Sequence, residues 1–270
     1  MSDGGSNYWA YFYNQGFFGF GNPSDFRIGS LAHIIPILLL LVAIFLIYKY
    51  RNVFKNNSKL DKRVTEILII IMIFSELSYW WRLVYAGPGN DIVHNLLGRL
   101  PIQVCQWTLL ITVCGMICKS EGMIGVSFFM ASVPSLLAII YPSVLSRTGP
   151  SYFRYYQYWF EHIIPVISVY YMLFVHNYKV KFKHLIYSLL ILTLLYYVGS
   201  KANVLLDKNV TTRYLYMNYM RKIPILANTN DLELYFVCII LIFIAFYIIY
   251  RIYKYITNKH NEENTMDWVI

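Results

Sequence analysis

Cys105 stands in Leu100-Pro101-Ile102-Gln103-Val104-Cys105-Gln106-Trp107, at the head of an apolar run that continues to Cys118. A thiol is the most nucleophilic neutral side chain, and a nearby imidazole can take its proton to make the thiolate. Two imidazoles lie in other apolar stretches: His162, in Trp159-Phe160-Glu161-His162-Ile163-Ile164-Pro165, and His33. A carboxylate, Glu76 between Ser75 and Ser78, and an amide, Asn203, are groups that can orient an imidazole or bind a polar substrate part. Polar groups at such depth in a bilayer cost free energy unless they are paired or face a cavity. The carbonyl compounds most abundant there are acyl esters. The set therefore points to acyl transfer through an S-acyl intermediate, with Cys105 as nucleophile and His162 as base.

The plainer alternatives bear on the same residues. A cysteine in a transmembrane helix commonly acts as a small packing hydrophobe. Cys114 and Cys118, four apart, share one helix face and fit that role. Cys105 and Cys114 are nine apart, about 180° around a helix, so only one of the two faces can line a given site. The glutamine-bearing face of Cys105 is the better candidate. Cys238 lies in an otherwise apolar stretch and reads as structural. Glu76 can serve as packing glue, and His33 is near enough to a helix start to be interfacial.

Composition decides the class. Of 270 residues, 58% are hydrophobic and 14% are charged, where a soluble domain is about a quarter charged. The chain reads as an all-α polytopic membrane protein. The net charge of +9 is then a matter of loops meeting anionic headgroups rather than of nucleic acid, and the expected partners are membrane lipids. The four cysteines form no CxxC or Cys/His spacing, so no disulfide framework, metal or organic cofactor is expected. The first residues lack the basic and apolar pattern of a cleavable signal peptide.

Seven apolar stretches are long enough to cross a hydrocarbon core as helices: 31–50, 65–87, 98–118, 122–142, 156–176, 181–206 and 232–257. They make one bundle over 31–257, between an extracytoplasmic segment 1–30 and a cytoplasmic tail 258–270. The first and seventh, almost purely apolar, are expected to face lipid, and the middle five to form the packed interior. Orientation in the cell membrane follows from basic loops. Lys49, Arg51, Lys55, Lys59, Lys62 and Arg63, with Lys179, Lys181 and Lys183, place the N-terminus outside and the C-terminus inside. The 207–231 connection, with Lys208, Arg213, Arg221 and Lys222, runs against that bias. On this topology Cys105 lies about seven residues, some 10 Å, into the third span. His33, His162 and Asn203 then share the outer half of the bilayer, with Glu76 deeper.

A series of short motifs carries a resemblance. Phe17-Phe18-Gly19-Phe20-Gly21, Ser30-x-x-His33, Ser75-Glu76-Leu77-Ser78 and Leu100-Pro101-Ile102-Gln103-Val104-Cys105 come first. Tyr141-Pro142, Tyr158-Trp159-Phe160-Glu161-His162, Asn203, and Asn218-Tyr219-Met220 with Pro224 follow in order. Together they resemble the YwaF-like bacterial membrane proteins, which are similar to the animal transmembrane protein 164. The resemblance implies a multi-helix membrane fold. From the animal relatives it also implies acyl transfer to lysophospholipids through a cysteine acyl-enzyme with a histidine partner. The cysteine maps onto Cys105 and the histidine onto His162, and Asn218 and Tyr219 join Glu76, Gln103, Asn203 and His33 as candidate orienting or substrate-binding residues. Where the family commonly has a histidine two residues before the cysteine, this chain has Gln103, which hydrogen-bonds but does not titrate near neutrality.

The expected function is a membrane-embedded acyltransferase, with phospholipid, lysophospholipid or a lipoprotein as donor or acceptor. The alternatives are a transport or substrate-binding membrane protein that uses the same polar residues as a ligand site, and a purely structural membrane protein.

Overall fold

A computed structural model describes residues 26–84, 100–142, 149–150, 153–206 and 228–266, with the backbone alone for the helix ends 79–84, 203–206 and 259–266. Segment 1–25 and the candidate residues Asn218 and Tyr219 lie outside this range, as does the side chain of Asn203. The described residues are helical with no strand. Seven principal helices follow in order: α1 Leu31–Lys49, α2 Ser58–Val84, α3 Val104–Ile117, α4 Glu121–Ile140, α5 Phe153–Val175, α6 Phe182–Leu206 and α7 Asp231–Met266. Each matches one of the seven apolar stretches. A short helix, Arg51–Asn56, links α1 to α2.

The helix limits are written in the local sequence. Asn57 starts α2 by accepting from the Leu60 N–H at 3.0 Å, and Ser120 starts α4 by accepting from the Met123 N–H. Asn230 and Glu233 exchange side-chain and backbone hydrogen bonds of 2.9 and 3.0 Å, a reciprocal cap that opens α7. Within α4, Pro134 lies in a single π-turn, Ala131–Ser135. A proline has no N–H and crowds the preceding turn, and a widened turn accommodates both.

One helix departs from expectation. The third span, expected from residue 98, begins only at Val104, because Pro101 disfavours helix at Leu100 and Gln103 takes an extended conformation (φ −75°, ψ 143°). Its 14 residues rise about 21 Å, short of the roughly 30 Å hydrocarbon core. Cys105 is therefore the second residue of a helix, not seven residues inside one.

α5 is the hub of the bundle. It packs against α1, α2, α3 and α4, and both hydrophobic clusters of the core draw on it, through Tyr158 and Val166 on one side and Ile164 and Met172 on the other. α6 packs on α4 and α7, and α7 reaches the core at the π-turn of α4. Two thirds of the apolar windows of α4 and α5 are buried, against 17% for α1 and 11% for α7, as their composition predicts. α6 is only 28% buried, so the sixth stretch belongs to the periphery rather than to the interior expected for it.

His176 and His184, which carry no signal in the sequence, both hold packed elements together. Asp61 in the first turn of α2 accepts from the Tyr171 hydroxyl at 2.7 Å and from His176 Nε2 at 3.0 Å, tying the start of α2 to the end of α5. His184 sits where α6 crosses α4. Its buried ring lies over Gly125, where an added Cβ would come within 1.9 Å of Nδ1. Nδ1 accepts from the Lys181 N–H, so the ring is not free to swing aside. Gly125→Ala is therefore expected to force α4 and α6 apart, at about the 1–3 kcal/mol typical of overpacking. Thermal unfolding of the detergent-solubilised protein reads this as a lowered midpoint.

Candidate functional site

The site is assembled at the start of α3, and two side chains hold that start in place. Trp107 Nε1 donates to the Pro101 carbonyl at 2.7 Å, clasping the non-helical 100–103 segment against the first turn. Gln106, buried at 2% exposure, accepts from the Gln103 N–H through Oε1 at 3.3 Å and donates through Nε2 to Glu76 Oε1 on α2 at 3.0 Å. Further along, Thr112 donates to Ser127 or accepts from it at 3.1 Å, fixing α3 to α4.

α5 supplies the opposite wall. Arg154, Gln157 and Glu161 fall at i, i+3 and i+7, one stripe of its surface. Gln157 Nε2 donates to Glu161 Oε2 at 2.9 Å, and the Arg154 guanidinium lies 3.5 Å from the same oxygen. Gln157 also faces α2: its carbonyl accepts from Ser75 Oγ at 3.3 Å, and its Nε2 reaches the Ser75 carbonyl at 3.4 Å. The Oε1 atom of Gln157 is buried without a hydrogen-bond partner among the described residues.

Cys105 projects from α3 into this group. Glu161, Arg154 and Glu76 are its charged neighbours. His162 follows Glu161 on α5 and is buried at 5% exposure. It shares Glu161 and Arg154 as charged neighbours with Cys105. Its Nδ1 donates to the Tyr158 carbonyl at 2.7 Å, and its ring stacks on the Tyr158 ring at 4.2 Å. A backbone carbonyl can only accept, so the neutral ring carries its lone pair on Nε2, the form a general base needs.

The residues singled out in the sequence are thus distributed unequally. Cys105, Glu76, Gln103 and His162 surround the α2–α3–α5 junction. His33 does not offer a free nitrogen: Nδ1 accepts from the Gly29 N–H and Nε2 donates to the Ile139 carbonyl, both at 3.0 Å. It fastens the start of α1 to the end of α4, packed between Phe26 and Trp159. Cys114 and Cys118 are exposed on the outside of the bundle. Four site residues were not singled out in the sequence: Arg154, Gln157 and Glu161, whose i, i+3, i+7 spacing was the available signal, and Gln106, whose spacing to Gln103 is that of a helix cap.

Fold and site define a polytopic helical membrane protein with a thiol, two carboxylates, a guanidinium and an imidazole gathered near one end of its bundle. The chain belongs to the TMEM164 family, whose model matches residues 28–250. No curated protein matches the chain, and no solved structure does.

Gln106 bridges α3 to α2 and caps its own helix, so Gln106→Leu strands the Gln103 N–H and withdraws a donor from Glu76. A loss of about 1–3 kcal/mol is expected for leaving buried polar groups without partners. Chemical unfolding in mixed micelles measures it.

Proposed function

We propose that this chain is an acyltransferase of the cell membrane in which Cys105 carries the acyl group as a thioester. The observation that carries the reading is the position of Cys105: in the first turn of α3, beside Glu161 and in the same charged surroundings as His162. The first-turn N–H groups of a helix lack intrahelical partners and favour negative charge, which supports both a thiolate and the oxyanion that follows its attack.

The reaction has two halves. Cys105 Sγ attacks the ester carbonyl of a phospholipid while its proton passes to His162 Nε2. The tetrahedral intermediate collapses, the carbon–oxygen bond breaks, and the departing lysophospholipid oxygen takes that proton. In the second half the hydroxyl of another lysophospholipid attacks the thioester and gives its proton to His162. The carbon–sulfur bond then breaks, and the sulfur recovers the proton. The Glu161 charge favours the imidazolium formed next to it. Gln157 Oε1, an acceptor without a partner among the described residues, suits an incoming hydroxyl. Arg154 suits a headgroup phosphate.

Basic residues support an orientation with this site toward the outer face. Lys49, Arg51, Lys55, Lys59, Lys62 and Arg63 lie at the opposite end, as do Lys179, Lys181 and Lys183. The donor and acceptor are then lipids of the outer leaflet.

Intact-mass measurement of the purified protein is expected to show an acyl adduct released by hydroxylamine. Cys105→Ala removes the adduct and the transfer, whereas Cys114→Ala keeps both. His162→Ala lowers transfer by about 10²–10⁴-fold, the range for loss of a general base. An undiminished adduct on Cys105→Ala would overturn the reading.

A further inference from the structure

An apolar cavity of about 370 Å³ lies beside the start of α3, walled by α4, α6 and α7. Its lining includes Val104, Leu137, Tyr196, Tyr235, Cys238 and Ala245. None of these bears a charge. The Tyr235 hydroxyl is already hydrogen-bonded to Thr193 at 2.8 Å, and its ring stacks on Tyr196 at 4.5 Å between centroids. The cavity therefore offers a polar ligand almost nothing, although its volume is within the range of ligand sites, about 300–1,000 Å³.

Its dimensions identify an occupant. The lining runs along α7 from Tyr235, near the helix start, to Ala245. That stretch rises about 15 Å, half of the roughly 30 Å hydrocarbon core and hence the depth of one leaflet. The slot begins at the same end of the bundle as Cys105 and touches α3 at Val104, the residue bonded to Cys105. An uncharged space whose lining on α7 extends over one leaflet's depth fits one hydrocarbon chain.

We propose that this cavity binds a single fatty acyl chain, its carbonyl end at the first turn of α3 and its tail directed down the slot toward Ala245. The direction of the chain rests on reading Cys105 as the acyl carrier; the occupancy of the slot does not. Cys238 is then a wall residue of the acyl site, and side-chain size at Ala245 sets the chain length the site accepts.

The test uses the full chain carrying Cys105→Ser in phosphatidylcholine nanodiscs doped with a phosphatidylcholine bearing a diazirine at the end of one acyl chain. Photolabel is expected to concentrate on the α4, α6 and α7 residues that line the slot, and to fall about tenfold there on Ala245→Trp or, as a second variant, Cys238→Phe. In protein with Cys105 intact, Ala245→Trp shifts the hydroxylamine-labile adduct toward shorter chains. Label spread evenly over the lipid-facing surfaces of α1 and α7, or an adduct of unchanged chain length, overturns the proposal. The two readings separate cleanly: slot labelling without any adduct removes the acyl-enzyme and keeps the chain site, and an adduct with even labelling does the reverse.

Discussion

A buried carboxylate organises this bundle. Glu161 is 5% exposed on the central helix, in surroundings where an unpaired charge would be prohibitively costly. It is held by Gln157 and Arg154 from its own helix and has Cys105 of α3 as a neighbour. Gln157 is itself tied to Ser75 on α2. One ionisable group thus sits where three helices meet, within a network that ties α5 to α2. Glu76 repeats the pattern from the other direction, reaching α3 through Gln106. The apolar contacts around α5 hold the helices together without preferring one register; these polar contacts select it.

The short third helix follows from the same requirement. A span of full length would carry Cys105 on its flank with every backbone N–H already hydrogen-bonded. Because α3 starts at Val104, its first turn lies at the junction of the helices, with the thiol on one side and the apolar slot on the other. Pro101 and Gln103 end the extended segment, and the Trp107 clasp holds it. The helix start thereby separates a polar compartment toward α2 and α5 from an apolar one toward α4, α6 and α7. An amphiphile with a charged head and a hydrocarbon tail has the same division.

Much of this was legible in the sequence, and the remainder was hidden for identifiable reasons. Seven apolar runs yield seven helices because hydropathy and length are properties of the local chain. The start of α3 was misplaced because hydropathy does not register that Pro101 and Gln103 disfavour helix there, whereas the phrase Pro-x-Gln-x-x-Gln does contain the signal as a helix start. α6 was assigned to the interior on its polar residues, but Lys201 and Asn203 lie near its end, and its middle faces outward. Glu161 stands in the sequence only as a neighbour of His162. Whether a carboxylate sits at an interface or in a core depends on which helices surround it, and only the packing of α3 and α2 on α5 decides that. The Arg154–Gln157–Glu161 stripe was nevertheless readable as a period of 3.6 in polar residues, the inverse of the usual apolar stripe.

The histidines show how hydrogen bonding sorts residues that sequence treats alike. His33 and His162 are both buried imidazoles in apolar helices. His33 uses both nitrogens on backbone groups, one as acceptor and one as donor, and so is committed to a helix-to-helix tie. His162 commits only Nδ1, to a carbonyl within its own helix, and that bond fixes the lone pair on Nε2. Position 103 completes the comparison. Gln103 precedes the first residue of α3 in extended conformation, and its own N–H is held by Gln106. What this place demands is a residue compatible with a helix start, and glutamine meets the demand without titrating. The imidazole of the junction therefore stands on α5, where Glu161 and His162 occupy consecutive positions.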